Sequence, residues 1–196
     1  LQVFGTVTKN PVATGADLIS YGSWSGSNYL HQPYNSDLAV GTGDISVSFW
    51  CNANSLSGST RWLIDQGGTG FEFAFSTGAT FYNLPGGQVQ HSAMTTGVWN
   101  YLATVRRSGV LYAYMNGKLV GFAAATGSIT AANGTFVGIR STLDAARVPD
   151  ARMSLLRISA TAPSPEQIAK IYNDEKHLFQ ENAQATLYGS SDAVTA

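Results

Sequence analysis

Short runs in which apolar and polar residues alternate occupy roughly the first four-fifths of this 196-residue chain. In the run 45–51 every odd position is apolar, and in the run 71–76 a phenylalanine stands at every second position. This alternation is typical of β-strands with one buried face, because successive side chains point to opposite sides of a sheet. Asn116-Gly117, directly after the run 110–115, favours a two-residue hairpin turn. Further strands are predicted at 28–34, 61–66, 80–84, 88–91, 99–107, 119–122, 135–140 and 152–159.

One helix is predicted near the C-terminus. Ser164 is a suitable N-cap, Pro165 suits the first helical position, and Gln167 completes a capping box. The helix is expected to end at about Lys176. With many short strands before it, the chain is predicted to be an all-β sandwich or barrel that closes with one short helix.

The charge content limits the classes of partner. Only 12% of the residues are charged, against about a quarter in a typical globular protein. The surface must therefore consist largely of small polar residues, as in many extracellular β proteins. Lys and Arg number 11 against 12 Asp and Glu, and no basic cluster is richer than Arg106-Arg107. Nucleic acid is therefore not an expected partner, and no apolar run is long enough to predict membrane insertion.

Three stretches share an order and spacing that point to a family. They are Asp44-Ile-Ser-Val-Ser-Phe-Trp50; Gly97-Val-Trp-Asn-Tyr-Leu-Ala-Thr-Val-Arg106 followed by Leu111-Tyr-Ala-Tyr-Met-Asn-Gly117; and Phe136-Val-Gly-Ile139 followed, after a long loop, by Met153-Ser-Leu-Leu-Arg-Ile158 and the helix. Together they resemble a laminin-G-like domain of the concanavalin A-like lectin/glucanase superfamily, over roughly Asn28 to Asn173.

The resemblance implies a two-sheet antiparallel jelly-roll sandwich whose edge loops bind glycans or proteins, often around Ca²⁺. The family often carries an Asp-Glu pair in the closing strand, where this chain has Ser154-Leu155. That difference weakens the case for a calcium site. The tail from Ile171 to Val194 is similar to the segment that comes after such domains in tailed-bacteriophage structural proteins, which implies a phage virion or another extracellular location.

Three regions are expected from these patterns. Residues 1–26 are expected to be an N-terminal strand or linker region that packs on the sandwich, and 27–176 the jelly roll with its closing helix. Residues 177–196 are expected to be a linker or the start of a following module. The chain begins at Leu1 without Met and ends inside a polar run, so we expect a segment of a longer protein.

Catalytic motifs are scarce. Glycoside hydrolysis requires two carboxylates across a sugar cleft, and Glu72, the only Glu before residue 166, has no acidic residue two positions away on its strand. The chain is therefore not expected to be an enzyme. The three histidines are too scattered to predict a zinc site; they are His31, His91 and His177.

The first candidate ligand-binding residues lie in or near a small polar loop. Trp24 stands in the stretch 22–28, which offers its indole no obvious core partner, and Tyr29 follows. Sugars stack their C–H faces on such rings, and a side chain such as Asn28 can bind the hydroxyls. Alternatively, Trp24 anchors the loop in the core. Trp62 is another aromatic candidate and could equally be an edge-strand residue, whereas Trp50 and Trp99 are assigned to packing.

A long loop between two predicted strands supplies the remaining candidates. Asp144, Arg147 and Asp150 lie between Arg140 and Arg152, and such long connections are often functional. Asp144 and Asp150 could supply part of the six to eight oxygens that Ca²⁺ requires. The alternative is a solvated loop with turn-forming aspartates.

These observations predict a non-catalytic, lectin-like adhesion module of a larger extracellular or phage virion protein, recognising a surface glycan. The alternative is a structural decoration or protein-interaction domain that contacts neighbouring virion subunits or forms a homo-oligomer. A glycan hydrolase is the third hypothesis.

Overall fold

The computed structural model describes residues 1–184, in which two antiparallel sheets of seven strands each face one another. In spatial order, the first sheet consists of β1 (Gln2–Phe4), β4 (Tyr29–Gln32), β13 (Thr135–Val137), β6 (Arg61–Asp65), β7 (Glu72–Ser76), β8 (Ala79–Leu84) and β9 (Gly87–Ser92). The second consists of β12 (Lys118–Ala124), β11 (Val110–Met115), β10 (Asn100–Arg107), β5 (Ile45–Ala53), β14 (Ala151–Ser159), β3 (Ile19–Gly22) and β2 (Thr8–Pro11). Short 3-10 turns lie at Ser36–Leu38, Ala145–Arg147 and Lys176–Phe179. The predicted all-β jelly-roll sandwich is confirmed.

The core lies between the sheets, where the apolar positions of the alternating runs meet. Phe49 from β5 packs edge-on against Phe73 from β7, with ring centroids 4.8 Å apart, and Phe73 also contacts Tyr82. All three side chains are fully buried. Burying each of them stabilises the fold by roughly 1.5–3 kcal/mol relative to exposure. The apolar residues of the alternating runs therefore hold the two sheets together.

The N-terminal residues contribute strands to both sheets. β1 pairs with β4 in the first sheet, and β2 and β3 extend the second sheet beside β14. β1 and β2 are largely exposed edge strands of three and four residues, whereas β3 lies between β14 and β2 and buries only Ser20 and Gly22. Because these strands are short and bury no large apolar side chain, their sequences show too little alternation to be recognised as strands.

The helix α1 (Pro165–Glu175) begins as the sequence predicts. The Ser164 side chain accepts a hydrogen bond from the backbone of Gln167, whose own side chain accepts one from the Ser164 backbone. The helix then covers Trp50, which is 2% exposed and donates from Nε1 to Glu175 at 2.8 Å. The packing role predicted for Trp50 is therefore confirmed.

Residues 177–184, assigned from sequence to a linker or a following module, pack on the sandwich. The Phe179 ring stacks on Trp50 at a centroid distance of 4.2 Å. The backbone N–H of Asn182 donates to the Thr14 carbonyl at 2.8 Å, and that of Asp17 donates to the Ala183 carbonyl. The rest of the predicted linker, residues 185–196, lies outside the described residues.

A buried arginine fastens two loops at one end of the sandwich. Arg106 in β10 is fully buried and donates to the carbonyls of Gly41, Gly43 and Gly127 at 2.6, 2.8 and 2.7 Å. Burial lowers the pKa of its guanidinium, and nearby Asp44 opposes that shift. These hydrogen bonds offset the cost of burying the cation. Through them Arg106 links the segment before β5 to the segment after β12.

Replacing Arg106 is expected to be strongly destabilising. Arg106→Leu leaves three carbonyls without their donor, so the free energy of unfolding is expected to fall by about 3 kcal/mol or more. Urea denaturation followed by circular dichroism measures the change. In the control Arg157→Gln, a partly exposed ion pair with Glu175 is lost, and the expected cost is below about 1 kcal/mol. Equal losses in the two variants would contradict this role.

Candidate functional site

The connection from β13 to β14, residues 138–150, crosses one end of the sandwich and is called the β13–β14 loop. Asp65 holds its first part, because its two carboxylate oxygens accept from the backbone N–H groups of Gly67 and Ser141 at 2.7 and 2.6 Å. Arg61 holds its last part by donating to the Val148 carbonyl at 2.8 Å. The loop is therefore attached to β6 at both ends.

A polar cleft of about 400 Å³ lies on one side of this loop. Its walls come from β2, the loop after β3, the loop after β5 and the start of β14. The lining residues are Thr8, Asn10, Ser23, Trp24, Asn54, Val148, Pro149, Asp150, Ala151 and Arg152. Most of these side chains are polar, so the polar cleft is suited to a ligand that forms hydrogen bonds.

Several hydrogen-bonding groups of the polar cleft remain free for a ligand. Asn54 donates to one carboxylate oxygen of Asp150 at 2.8 Å, and Arg152 donates one N–H to the Pro11 carbonyl at 3.4 Å. The side-chain amide of Asn10 is exposed and has no partner within residues 1–184. The cleft thus presents a free amide, a carboxylate oxygen and guanidinium N–H groups.

Trp24 is in the core, which decides between the two roles considered for it. It is 7% exposed, and its ring lies against Gly138, where an added Cβ would be 2.1 Å from a ring carbon. The exposed stacking face expected from its polar neighbours is therefore absent, and Trp24 anchors its loop. Its Nε1 is buried without a hydrogen-bond partner in the described part of the chain.

Asn28 and Tyr29 are also used internally, contrary to the expected binding role. The Asn28 carbonyl oxygen accepts from the Thr6 backbone N–H at 3.0 Å, and its amide donates to the Ser23 carbonyl. The ring of Tyr29 is 8% exposed because Phe4 stacks on it, with centroids 4.6 Å apart and planes 9° apart. Both contacts depend on the pairing of β1 with β4, which the sequence did not predict.

On the other side of the β13–β14 loop, arginines surround Trp62. The guanidinium carbons of Arg140 and Arg147 lie 4.5 and 5.7 Å from the centre of its ring. The Trp62 Nε1 is buried and has no partner within the described chain. We call Arg61, Trp62, Arg140 and Arg147 the arginine patch. Trp62 and Arg147 were candidates from the sequence, whereas Arg140 only marked the start of the loop.

The two aspartates proposed to bind Ca²⁺ do not fit that role. Asp144 caps a 3-10 turn by accepting from the Ala146 backbone N–H at 2.9 Å, and its other oxygen lies 3.6 Å from Arg147. Asp150 accepts from Asn54. Among residues 1–184, no three His, Cys, Asp or Glu side chains form a group that could hold a metal ion. Asp144 contacts an N–H donor and a guanidinium, and Asp150 has one carboxylate oxygen left, so the two aspartates do not supply the six to eight oxygens that calcium requires.

Glu72 forms a separate polar network on the first sheet. It accepts from the Gly68 backbone N–H at 2.7 Å and from the Asn83 side chain at 3.1 Å. Asn83 in turn accepts from Gln88. Both partners of Glu72 are amide N–H groups, so its carboxylate accepts hydrogen bonds from the loop after β6 and from β8.

Substitutions at Gly138 and Gly78 distinguish the stability cost of a clash with Trp24 from the cost of backbone strain. Gly138 and Gly78 have φ values of +83° and +85°, but nothing lies within 4 Å of a Cβ at Gly78. Gly78→Ala is expected to cost roughly 1–2 kcal/mol from the left-handed backbone alone. Gly138→Ala adds the clash with Trp24 and is expected to cost about 3 kcal/mol or more. Urea denaturation with tryptophan fluorescence measures both, and equal costs would show that Trp24 does not pack on Gly138.

Calcium is expected to leave the stability unchanged. A metal at one hundred times its Kd would stabilise the folded state by about 2.7 kcal/mol. We expect the melting temperature in 10 mM CaCl₂ to match that in excess chelator within about 1 °C. A calcium-dependent rise that Asp150→Asn abolishes would contradict the assignment of both aspartates to the internal hydrogen-bond network.

Solved structures with the same fold include domains from toxins and from an enzyme. The binding domain of Paraclostridial Mosquitocidal Protein 1 superposes with a TM-score of 0.69 at 13% identity over 88% of this chain and 47% of that chain. The receptor binding domain of botulinum neurotoxin C/D mosaic serotype gives 0.66 at 16% identity over 89% and 46%. Domain 4 of AbnA, a GH43 extracellular arabinanase from Geobacillus stearothermophilus, in complex with arabinotriose, gives 0.63 at 18% identity over 86% and 82%. This chain therefore spans less than half of the two toxin domains.

Sequence comparison identifies the family. No curated protein sequence is significantly similar to the chain. Within residues 1–184, no helix has the length and apolar character needed to cross a membrane. A family model matches residues 24–169, which is most of the chain and includes eleven of the fourteen strands, β4 to β14. The chain belongs to the concanavalin A-like lectin/glucanases superfamily.

Proposed function

We propose that this domain is a non-catalytic carbohydrate-binding module of a larger extracellular protein, and that it recognises a surface glycan in the polar cleft. The observation that carries the proposal is the hydrogen-bonding capacity left in that cleft: the amide of Asn10, the second carboxylate oxygen of Asp150 and the remaining N–H groups of Arg152. Its volume of about 400 Å³ is within the roughly 300–1,000 Å³ typical of small-molecule sites.

The chemistry of these groups suits sugar hydroxyls. A hydroxyl both donates and accepts, and the Asn10 amide can do the same. The Asp150 carboxylate accepts, and the Arg152 guanidinium donates. These groups are attached to β2, to β14 and to the bonded end of the β13–β14 loop, so a ligand need not order a loose segment.

The solved structures with this fold support a binding role. Two are described as binding domains, and the arabinanase domain is described in complex with arabinotriose. Display on a phage virion, which the similarity of the tail suggested, would present many copies. Many weak contacts then combine into strong adhesion.

The distribution of carboxylates favours binding over hydrolysis. Glycosidases of the common types place two carboxyl groups roughly 5–10 Å apart across the sugar. Within residues 1–184, Asp150 is the one acidic residue that lines the polar cleft, and Glu72 lies in another groove bonded to amides. The proposed module therefore holds its glycan without cleaving it.

An array of glycans that includes bacterial surface polysaccharides and arabinan oligosaccharides tests the proposal. The wild-type domain is expected to bind at least one ligand saturably. Asn10→Ala removes a free amide without breaking an internal side-chain bond, so affinity is expected to fall about five- to tenfold. The matched control is Gln90→Ala, an exposed amide on β9, which is expected to bind normally. Absence of glycan binding, or equal binding by Asn10→Ala, would refute the proposed site.

Protein interaction is the second candidate function, favoured by an apolar groove between the open edges of the sheets. The groove has a volume of about 600 Å³, and Val3, Tyr21 and Leu156 on its rim are 64%, 37% and 38% exposed. A neighbouring subunit or a second copy of this chain could cover it. A silent array, together with a melting temperature that rises with protein concentration, would favour this function.

A further inference from the structure

Arg140 differs from the other arginines in having no acceptor. Among the residues the structure describes, each of the other six arginines donates to a carbonyl or a carboxylate; they are Arg61, Arg106, Arg107, Arg147, Arg152 and Arg157. Arg140 has one described contact of its guanidinium, the indole of Trp62 at 4.5 Å. Its N–H groups are therefore available to a ligand.

Stacking on Trp62 also limits the movement of this guanidinium. A planar guanidinium held over an aromatic ring keeps its N–H edge open while its stem is fixed, which lowers the entropy lost on binding. The same ring is approached by Arg147 at 5.7 Å. Arg140 is thus a partly ordered, positively charged fork beside a second cation.

The carboxylates near the arginine patch do not neutralise Arg140. Asp144 is paired with Arg147 and with the Ala146 backbone N–H. Asp65 is buried, and both of its oxygens accept backbone N–H groups. Among the described residues Arg140 therefore has no carboxylate partner, in a protein whose overall net charge is only -1.

The arginine patch and the polar cleft are separated only by the β13–β14 loop. Arg147 faces Trp62, and the next residue, Val148, lines the cleft. Consecutive Cα atoms are about 3.8 Å apart. We expect a ligand of a few sugar units that occupies the cleft to extend across the loop to the patch.

We infer that the ligand is an acidic glycan, whose carboxylate or sulfate group binds Arg140 in the arginine patch while its neutral part lies in the polar cleft. This inference rests on the proposed function and names the class of glycan. A guanidinium fork matches the two oxygens of a carboxylate or sulfate and forms short, charge-assisted hydrogen bonds to them.

Pairs of an acidic glycan and its neutral counterpart test the inference. The probes are polygalacturonate oligomers and their methyl esters, sialyllactose and lactose, and sulfated lactose and lactose. The wild-type domain is expected to bind the acidic member of at least one pair about tenfold more tightly. The carboxylated and the sulfated pairs distinguish the two sources of the oxyanion. Added NaCl is expected to reduce the difference within a pair.

Three variants assign that preference to Arg140. Arg140→Gln is expected to reduce binding of the acidic member about tenfold and that of the neutral member less than twofold. Arg140→Lys keeps the charge but loses the fork, so an intermediate loss is expected. The matched control Lys118→Gln removes one exposed charge in the β11–β12 hairpin and is expected to keep the preference. Melting temperatures verify that each variant is folded.

The outcomes separate the two proposals. Equal wild-type binding of acidic and neutral members overturns the role of Arg140 and leaves the carbohydrate-binding function standing. An acidic preference that survives Arg140→Gln in a folded protein also overturns it. Failure to bind any glycan overturns both.

Discussion

A buried carboxylate at the end of β6 determines where the candidate site can form. Asp65 is 1% exposed, and a buried charge is tolerated only when hydrogen bonds replace the lost water. One of those bonds comes from Ser141, which places the start of the β13–β14 loop. Arg61, at the opposite end of the same strand, places the end of the loop through Val148. The polar cleft and the arginine patch both depend on these attachments.

The two sides of that loop carry different chemistry. The cleft presents an amide, a carboxylate oxygen and guanidinium N–H groups, which suit neutral hydroxyls. The patch presents the free guanidinium of Arg140 over Trp62. Because charged residues make up only 12% of the chain, this local cation is not part of a broad basic surface. Recognition would thus depend on where an anionic group lies along a glycan.

Elements of the fold that have local signals could be predicted from sequence. The alternating runs predicted the long strands, and the capping box at Ser164 predicted the helix. The short strands β1, β2 and β3 were not recognised individually, because three or four residues that bury no large apolar side chain show little periodicity. Because β1 was not predicted, two contacts at the candidate site were not predicted either. Phe4 stacks on Tyr29, and the Thr6 backbone N–H donates to Asn28.

The candidate site residues show most clearly that local sequence patterns do not predict contacts between distant segments. Trp24 has only small polar neighbours in sequence, and its core partner Gly138 lies far along the chain. Asp150 was selected from its loop, but its bond to Asn54 and its place in a cleft with Asn10 depend on three separate segments. Arg140 was passed over because nothing local distinguishes an arginine that has an acceptor from one that has none.

The sequence by itself determined the all-β class, the closing helix and the weak overall charge, because periodicity, capping and composition depend on neighbouring residues or on simple counts. Only the tertiary structure decided which aromatic and polar side chains are buried and which share a cleft. Those outcomes depend on strand pairing and loop attachment between distant segments, which no local pattern specifies.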